Sequence, residues 1–304
     1  MKFNLESIPM VNAAAGVLAG MGYTFKCIVV DHITIHQVDP NEWDRVFLLS
    51  IETTFKIRNV MEQIGDKLVV INTSNEQGLE RWDNFFFPHW LFCVSACNQI
   101  TPSNSTKPFL FDALLGRQKD TRTALINELA ASDMLQRGII SYSTGFHYKS
   151  NTTATTQYFD VWDYEEDAIK DLYVTKENYI NRDSTTRLKN GYFSSCLIPK
   201  RIYDATSVSL VAETDNIGSH VFVTEKTWKP IMQGRPVVFY ATPEHEIFLE
   251  SLGFKFPYKC YGQTEKVVEG LLTANTDYVE HNKTLADPNY WTAKLYDWLE
   301  QFRS

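Results

Sequence analysis

Residues 207–240 read SVSLVAETDNIGSHVFVTEKTWKPIMQGRPVVFY, and the order of their elements decides the fold class. Val208–Ala212 is a short, continuously apolar run, the pattern of a strand covered on both faces of a parallel sheet. A polar loop, Thr214–Val221, follows. A helix then opens at Val223-Thr224-Glu225-Lys226, and Gly234 fits its C-cap. Pro236 begins the next strand, and Pro230 lies early enough in the helix to be tolerated. A loop that leaves a parallel strand at its carboxyl end and enters a helix N-terminus is a natural anion site, because free N–H groups and the helix dipole both point there. Lys226 adds a full positive charge suited to a diphosphate, and Glu225 offers two acceptor oxygens suited to the paired hydroxyls of a ribose. The competing account is plain capping, with Thr224 as N-cap, Glu225 favouring the dipole and Lys226 solvated. For Thr-Glu-Lys in isolation that account is the commoner one.

Working outward, the same grammar repeats. Further strands are expected at Phe25–Val30, Arg45–Ile51, Lys67–Asn72, Phe109–Leu115, Gly138–Ser143 and Pro236–Tyr240. Helices are expected at Asp120–Gln136, Glu225–Gln233, Glu244–Leu252, Glu265–Leu272 and Tyr290–Phe302, with a buried or amphipathic first helix within Met10–Gly22. Alternating strand and helix is the pattern of doubly wound α/β domains. The polar stretch Thr101–Pro108 (TPSNSTKP) reads as a linker, and Ser150–Gln157 (SNTTATTQ) as an exposed loop. The expected division is an acceptor-side domain over 1–104 and a nucleotide-binding domain over 105–304. The last helix is expected to pack back on the first domain.

Composition narrows the function. The 304 residues carry a net charge of −8, which argues against a protein whose whole surface grips nucleic acid while leaving room for a local basic track. The apolar stretch at Met10–Gly22 lacks a charged leader and is too short to span a bilayer, so no membrane span and a cytoplasmic location are expected. Five scattered cysteines, without zinc spacing, read as free thiols. No Asp-x-Asp pair, phosphate-binding G-x-x-x-x-G-K-[ST] loop or G-x-G-x-x-G fingerprint occurs, which weighs against metal-dependent sugar transfer, kinases and dehydrogenases.

The 207–240 stretch resembles the donor-binding motif of the α1,3-fucosyltransferase family and of phage-encoded glycosyltransferases with the same C-terminal signature. The matching order is Glu213 closing a strand, a polar loop, Phe222-Val223-Thr224-Glu225-Lys226, Gly234, and Pro236-Val237-Val238. The resemblance implies a GT-B-type α/β fold of two Rossmann-like domains facing across a cleft. It also implies metal-independent transfer of a sugar from a nucleotide-sugar donor, UDP- or GDP-linked, with no further cofactor. Glu225 would hold the donor ribose and Lys226 the pyrophosphate, with Glu213, Phe222 and Thr224 completing the motif. Phe222 stands where the family usually has Tyr, and Val221 where it has Asp, so GDP-fucose is not inferred. Upstream, Arg117, Lys119 and Arg122 form a basic approach to the helix after Leu115. Arg122 is the best match to the family's diphosphate-binding Arg, and Arg117 is second.

Sugar transfer with inversion needs a base for the acceptor hydroxyl. Glu52, directly after the strand ending at Ile51, is the first candidate, and Asp31 with His32 the second. A loop carboxylate or histidine without a catalytic role is the competing account for each. Trp82–Trp90 (WDNFFFPHW) supplies aromatic faces, of which His89 and Trp90 are candidate acceptor contacts and core packing the alternative. Acceptors divide into DNA carrying hydroxymethylated bases and surface glycans, and an inert nucleotide- or sugar-binding module is the alternative to an enzyme.

Overall fold

The structure is a computed structural model that describes residues 1–6, 10–52, 54–97, 107–117, 119–143, 157–158, 196–213, 220–258 and 264–303. Most of the expected linker 101–108 and loop 150–157, residues 214–219 of the loop after Glu213, and Cys260 lie outside the described residues. Cys27, Cys93, Cys97 and Cys196 are free thiols. The chain forms two compact units, one of residues 1–93, 217–224 and 287–304 and the other of residues 94–216 and 225–286.

The first unit is built on five parallel strands in spatial order β1 (Lys2–Asn4), β2 (Cys27–Asp31), β3 (Arg45–Ser50), β4 (Leu68–Asn72), β6 (Asp83–Phe86). The central strands CIVVD and LVVIN are buried at every residue, as uninterrupted apolar runs require when both faces are covered. On one face Ile28, Val30, Val46, Leu48, Leu68 and Val70 join Met61 and Ile64 of helix α2 (Arg58–Ile64). On the other, Phe47 stacks on Tyr23 at 5.2 Å and meets Phe302 edge-on at 6.4 Å. Helix α10 (Pro288–Leu299) packs against α1 (Asn12–Gly20) within this unit, and its Trp298 reaches Phe85. A two-stranded antiparallel ribbon, β5 (Ser74–Asn75) with β11 (Val221–Phe222), brings the segment before Thr224 into the same unit.

The second unit carries five parallel strands in the order β12 (Val237–Phe239), β10 (Thr206–Val211), β7 (Phe109–Arg117), β8 (Gly138–Ser143), β9 (Gln157–Tyr158). From β7 the chain winds outward to β9, returns to β10 on the other side of β7, and winds outward again. The order therefore reverses between β7 and β10, the doubly wound arrangement whose ligands bind outside the carboxyl ends at that reversal. Phe111, Ala113, Leu115, Val208 and Leu210 form one core with Leu125 and Leu129 of α4 (Asp120–Ala131) and Val267 and Leu271 of α8 (Thr264–Thr273). Alternation turns Asp112 and Ser209 to the opposite face. There Arg235 fills its guanidinium with bonds to Asp112 (2.7 Å), Ser209, Thr206 and the Tyr203 carbonyl, all buried.

Element ends follow local chemistry. Helix α6 (Glu225–Met232) stops at Gly234, φ 63°, where Gly234 N–H bonds the Ile231 carbonyl and Arg235 N–H the Pro230 carbonyl. The helix expected to run from Asp120 to Gln136 ends instead at Ala131, because Asp133 takes a left-handed φ of 53° and a 3-10 turn completes the stretch. A Cβ on Gly138 would lie 2.4 Å from the Phe111 ring, so that glycine is what allows β8 to close against the core.

Candidate functional site

The site is assembled at the N-terminus of α6, just after the β10 strand and beside the strand-order reversal. Glu225 opens the helix and is only 6% exposed. Lys226 Nζ donates to its Oε1 at 2.8 Å. Burial pushes the Glu225 carboxyl up, but the Lys226 and Lys229 charges outweigh it and hold the group below its ordinary range. Lys226 and Lys229 also line one small pocket of about 20 Å³, together with Leu114 and Val211 from the strands, Ala212 just after β10, and Tyr203. Two cations, a buried carboxylate and a helix N-terminus thus gather in one place, which suits a phosphorylated ligand bearing hydroxyls.

Glu213, an expected donor contact, is placed behind this surface. It is 1% exposed and accepts a 2.6 Å bond from Thr227 Oγ1, which ties the first turn of α6 to the end of β10. His245 of α7 (Pro243–Ser251) approaches the same hydroxyl at 3.5 Å and packs edge-on against Phe239. Burial lowers the His245 imidazole, and Glu213 opposes that shift. Neither Thr227 nor His245 stood out in sequence. A polar Thr directly after Thr224-Glu225-Lys226 is the one sequence signal that could have pointed to Thr227.

Arg122 occupies the first turn of α4 and is 3% exposed, its guanidinium reaching the Ala212 carbonyl at 3.5 Å. Ala212 also lines the Lys226–Lys229 pocket, so the reversal point joins Arg122 to the α6 site. Arg117 was expected in a basic loop; it instead closes β7, paired with Ser143, because the strand runs two residues further than its apolar core.

The remaining candidates lie in the first unit. Phe222 is in β11 opposite Ser74, and Thr224 is buried immediately before α6. Glu52 is exposed beyond the end of β3, its carbonyl bonded by Ser50 Oγ at 2.8 Å. Thr54, two residues further on, is held by Glu76, which sequence reading missed. This buried carboxylate accepts from Thr54 N–H and Oγ1, Ser74 Oγ and Arg58. Asp31 is fully buried, and its carboxylate is engaged by the Glu6, Ile33 and Thr34 amides and the Thr34 hydroxyl. Those bonds shape the β2 loop, and His32 beside it is half-buried. His89 and Trp90 open helix α3 (His89–Cys97) as interior residues. Trp90 Nε1 donates to the Ile51 carbonyl, and burial pushes the His89 imidazole down to about 4, against the Ile71 and Met10 backbone. Their rings pack the unit instead of lining its surface.

Among the described residues no three His, Cys, Asp or Glu side chains converge as a metal site, and no helix is long and apolar enough to cross a membrane. Neither a protein-family model nor a curated protein matches the chain. Among solved structures it is similar to the DNA-modifying enzyme beta-glucosyltransferase, determined in the presence and absence of uridine diphosphoglucose. The identity is 11%, the TM-score 0.45, and 99% of this chain and 98% of that one are covered. T4 phage beta-glucosyltransferase in a second structure gives 10% identity over the whole of both chains at a TM-score of 0.43.

Proposed function

We propose that the protein is a glycosyltransferase whose second unit holds a nucleoside-diphosphate sugar at the N-terminus of α6. The observation that carries this reading is the buried Glu225 paired with Lys226 at a helix start beside a strand-order reversal, with Arg122 adjoining through Ala212. Glu225 accepts from the ribose hydroxyls. Lys226 and Arg122 bind the diphosphate and stabilise the charge that develops on it as the sugar leaves. Arg117 and Thr224 are secondary donor contacts. Glu213 serves by holding Thr227 and thus the first turn of α6.

The fit to the donor motif of known glycosyltransferases supports sugar transfer over simple nucleotide binding. Glu52, exposed just beyond the carboxyl end of β3 with its carbonyl held by Ser50 Oγ, is proposed as the base. Asp31 is a weaker choice because its carboxylate is already spent on backbone amides. The proposed acceptor is DNA bearing hydroxymethylated bases, on the strength of the phage-type motif, and positive side chains take the place of a metal.

The test incubates the enzyme, in excess EDTA, with labelled nucleotide sugars and hydroxymethylcytosine or hydroxymethyluracil DNA. Label on DNA, abolished in Glu52→Gln, is expected. Label on an oligosaccharide alone would move the acceptor to a glycan, and turnover only on adding manganese or magnesium would overturn metal independence.

A further inference from the structure

Within the proposed donor site Glu225 and Lys226 are bonded to each other, so a Lys226 that swings fully onto the donor diphosphate gives up its bond to Glu225. Lys226 Nζ sits 2.8 Å from Glu225 Oε1, and both side chains are largely withdrawn from water at 19% and 8% exposure. If Lys226 turns to a diphosphate, it leaves behind a buried carboxylate, which is costly without another counter-charge. Lys229 is positioned to be that counter-charge. It follows Glu225 at i+4, the spacing and orientation that bring a helical Glu and Lys together. It is 4% exposed and lines the same pocket as Lys226.

We propose that Lys229 is a positioning residue of the donor site: it keeps Glu225 ionised as a ribose acceptor when Lys226 exchanges from Glu225 to the donor diphosphate. This rests on the donor-site reading above. A carboxylate accepts from both ribose hydroxyls, whereas a protonated acid presents a donor to one of them and loses that pairing. The lowered Glu225 carboxyl is consistent with both lysines acting on it. Its other charged surroundings are arranged differently. Asp112 at the pocket floor is engaged by Arg235, Glu213 is behind Thr227, and His245 adjoins that pair. Arg122 approaches from α4 by way of Ala212. Glu280 and Lys283 of helix α9 (Val279–Leu285) lie by Gly234 at the far end of α6.

The sign of the pH effect follows. Glu225 has its folded carboxyl held low, so its acceptor role persists above that value and fails as pH falls through it. Removing Lys229 raises the threshold, and affinity should then fail at a higher pH.

The experiment is calorimetric titration of UDP and GDP from pH 8 to pH 4.5 on wild type, Lys229→Met, Lys229→Gln and Lys229→Arg, with melting temperatures recorded alongside. Near pH 8 Lys229→Arg should bind like wild type, while Lys229→Met and Lys229→Gln start from a lower affinity because a cation lining the pocket is gone; the proposal is read from the further change with pH. On acidification the two neutral variants should lose affinity earlier, approaching ~10-fold per pH unit below the shifted threshold, while Lys229→Arg follows wild type. In a Glu225→Gln background the pH-dependent part of the Lys229 effect should vanish. Superimposable profiles, or a loss in the neutral variants that is the same at every pH, would overturn the proposal while leaving the donor site intact. Absence of nucleotide binding by the wild type would remove the donor-site reading itself, and Lys229 with it.

Discussion

Thr227→Val is the substitution that most sharply separates a positioned α6 from one that is merely helical. It keeps the side-chain shape and deletes the hydroxyl that donates at 2.6 Å to Glu213, in surroundings where Thr227 is 0% and Glu213 1% exposed. A hydrogen bond to a charged acceptor contributes roughly 1.5–3 kcal/mol, and a buried carboxylate that loses one approaches the upper figure. For a unit of this size each kcal/mol shifts the melting temperature by about 2–4 °C, so a fall of roughly 3–12 °C is expected. The same loss should loosen the first turn carrying Glu225 and Lys226, so nucleotide affinity should fall about 10-fold or more even in molecules that remain folded. Thr227→Ser, which restores the donor, should recover most of both. Differential scanning calorimetry and nucleotide titration read the two effects separately. A Thr227→Val protein with unchanged melting and unchanged affinity would refute the view that Glu213 fixes the donor helix.

Three further outcomes follow from the packing. Gly138→Ala should destabilise by about 1–3 kcal/mol through overpacking against Phe111, measurable by urea denaturation, and an unperturbed midpoint would contradict the close approach of β8. Arg235→Met should cost about 3–5 kcal/mol by leaving Asp112 buried without its cation, whereas the joint Asp112→Leu, Arg235→Met variant should recover part of it. His89 is neutral when folded and titrates near 4, while unfolded it titrates near 6.5. The unfolded state therefore binds the extra proton as pH falls from about 6.5 to about 4, and stability drops by up to about 1.4 kcal/mol per pH unit in that window. His89→Phe should flatten that part of the stability profile, and an unchanged slope would count against a buried neutral imidazole.

The long apolar runs were the legible part of the fold. Gly138–Ser143 was delimited to the residue, and the β2, β3 and β4 runs to within two residues at each end. Short elements were not legible: β1, β5 and β11 have two or three residues each, too few for a period to register, and form because a neighbour supplies the pairing. Within the site, Glu225, Lys226 and Gly234 were legible because a helix start and a Gly C-cap leave local signatures. Thr227, His245 and Glu76 were not, because their roles depend on partners 14 to 22 residues away in sequence. His89 and Trp90 stood as candidate acceptor contacts with core packing as the alternative, and the structure places both in the interior. A run such as WDNFFFPHW offers no period that tells a platform from a core.

The central claim is tested most directly by titrating UDP, GDP, CDP and ADP, with their sugar conjugates, into wild type and into Lys226→Ala, Arg122→Ala and Glu225→Gln. One nucleotide family should bind the wild type. Lys226→Ala and Arg122→Ala should each weaken it by roughly 1.5–3 kcal/mol, about 10- to 150-fold, and Glu225→Gln should lose affinity for the ribonucleotide while its fold is retained. Binding that survives all three substitutions undiminished, or no binding of any nucleotide by the wild type, would contradict a donor site at the start of α6.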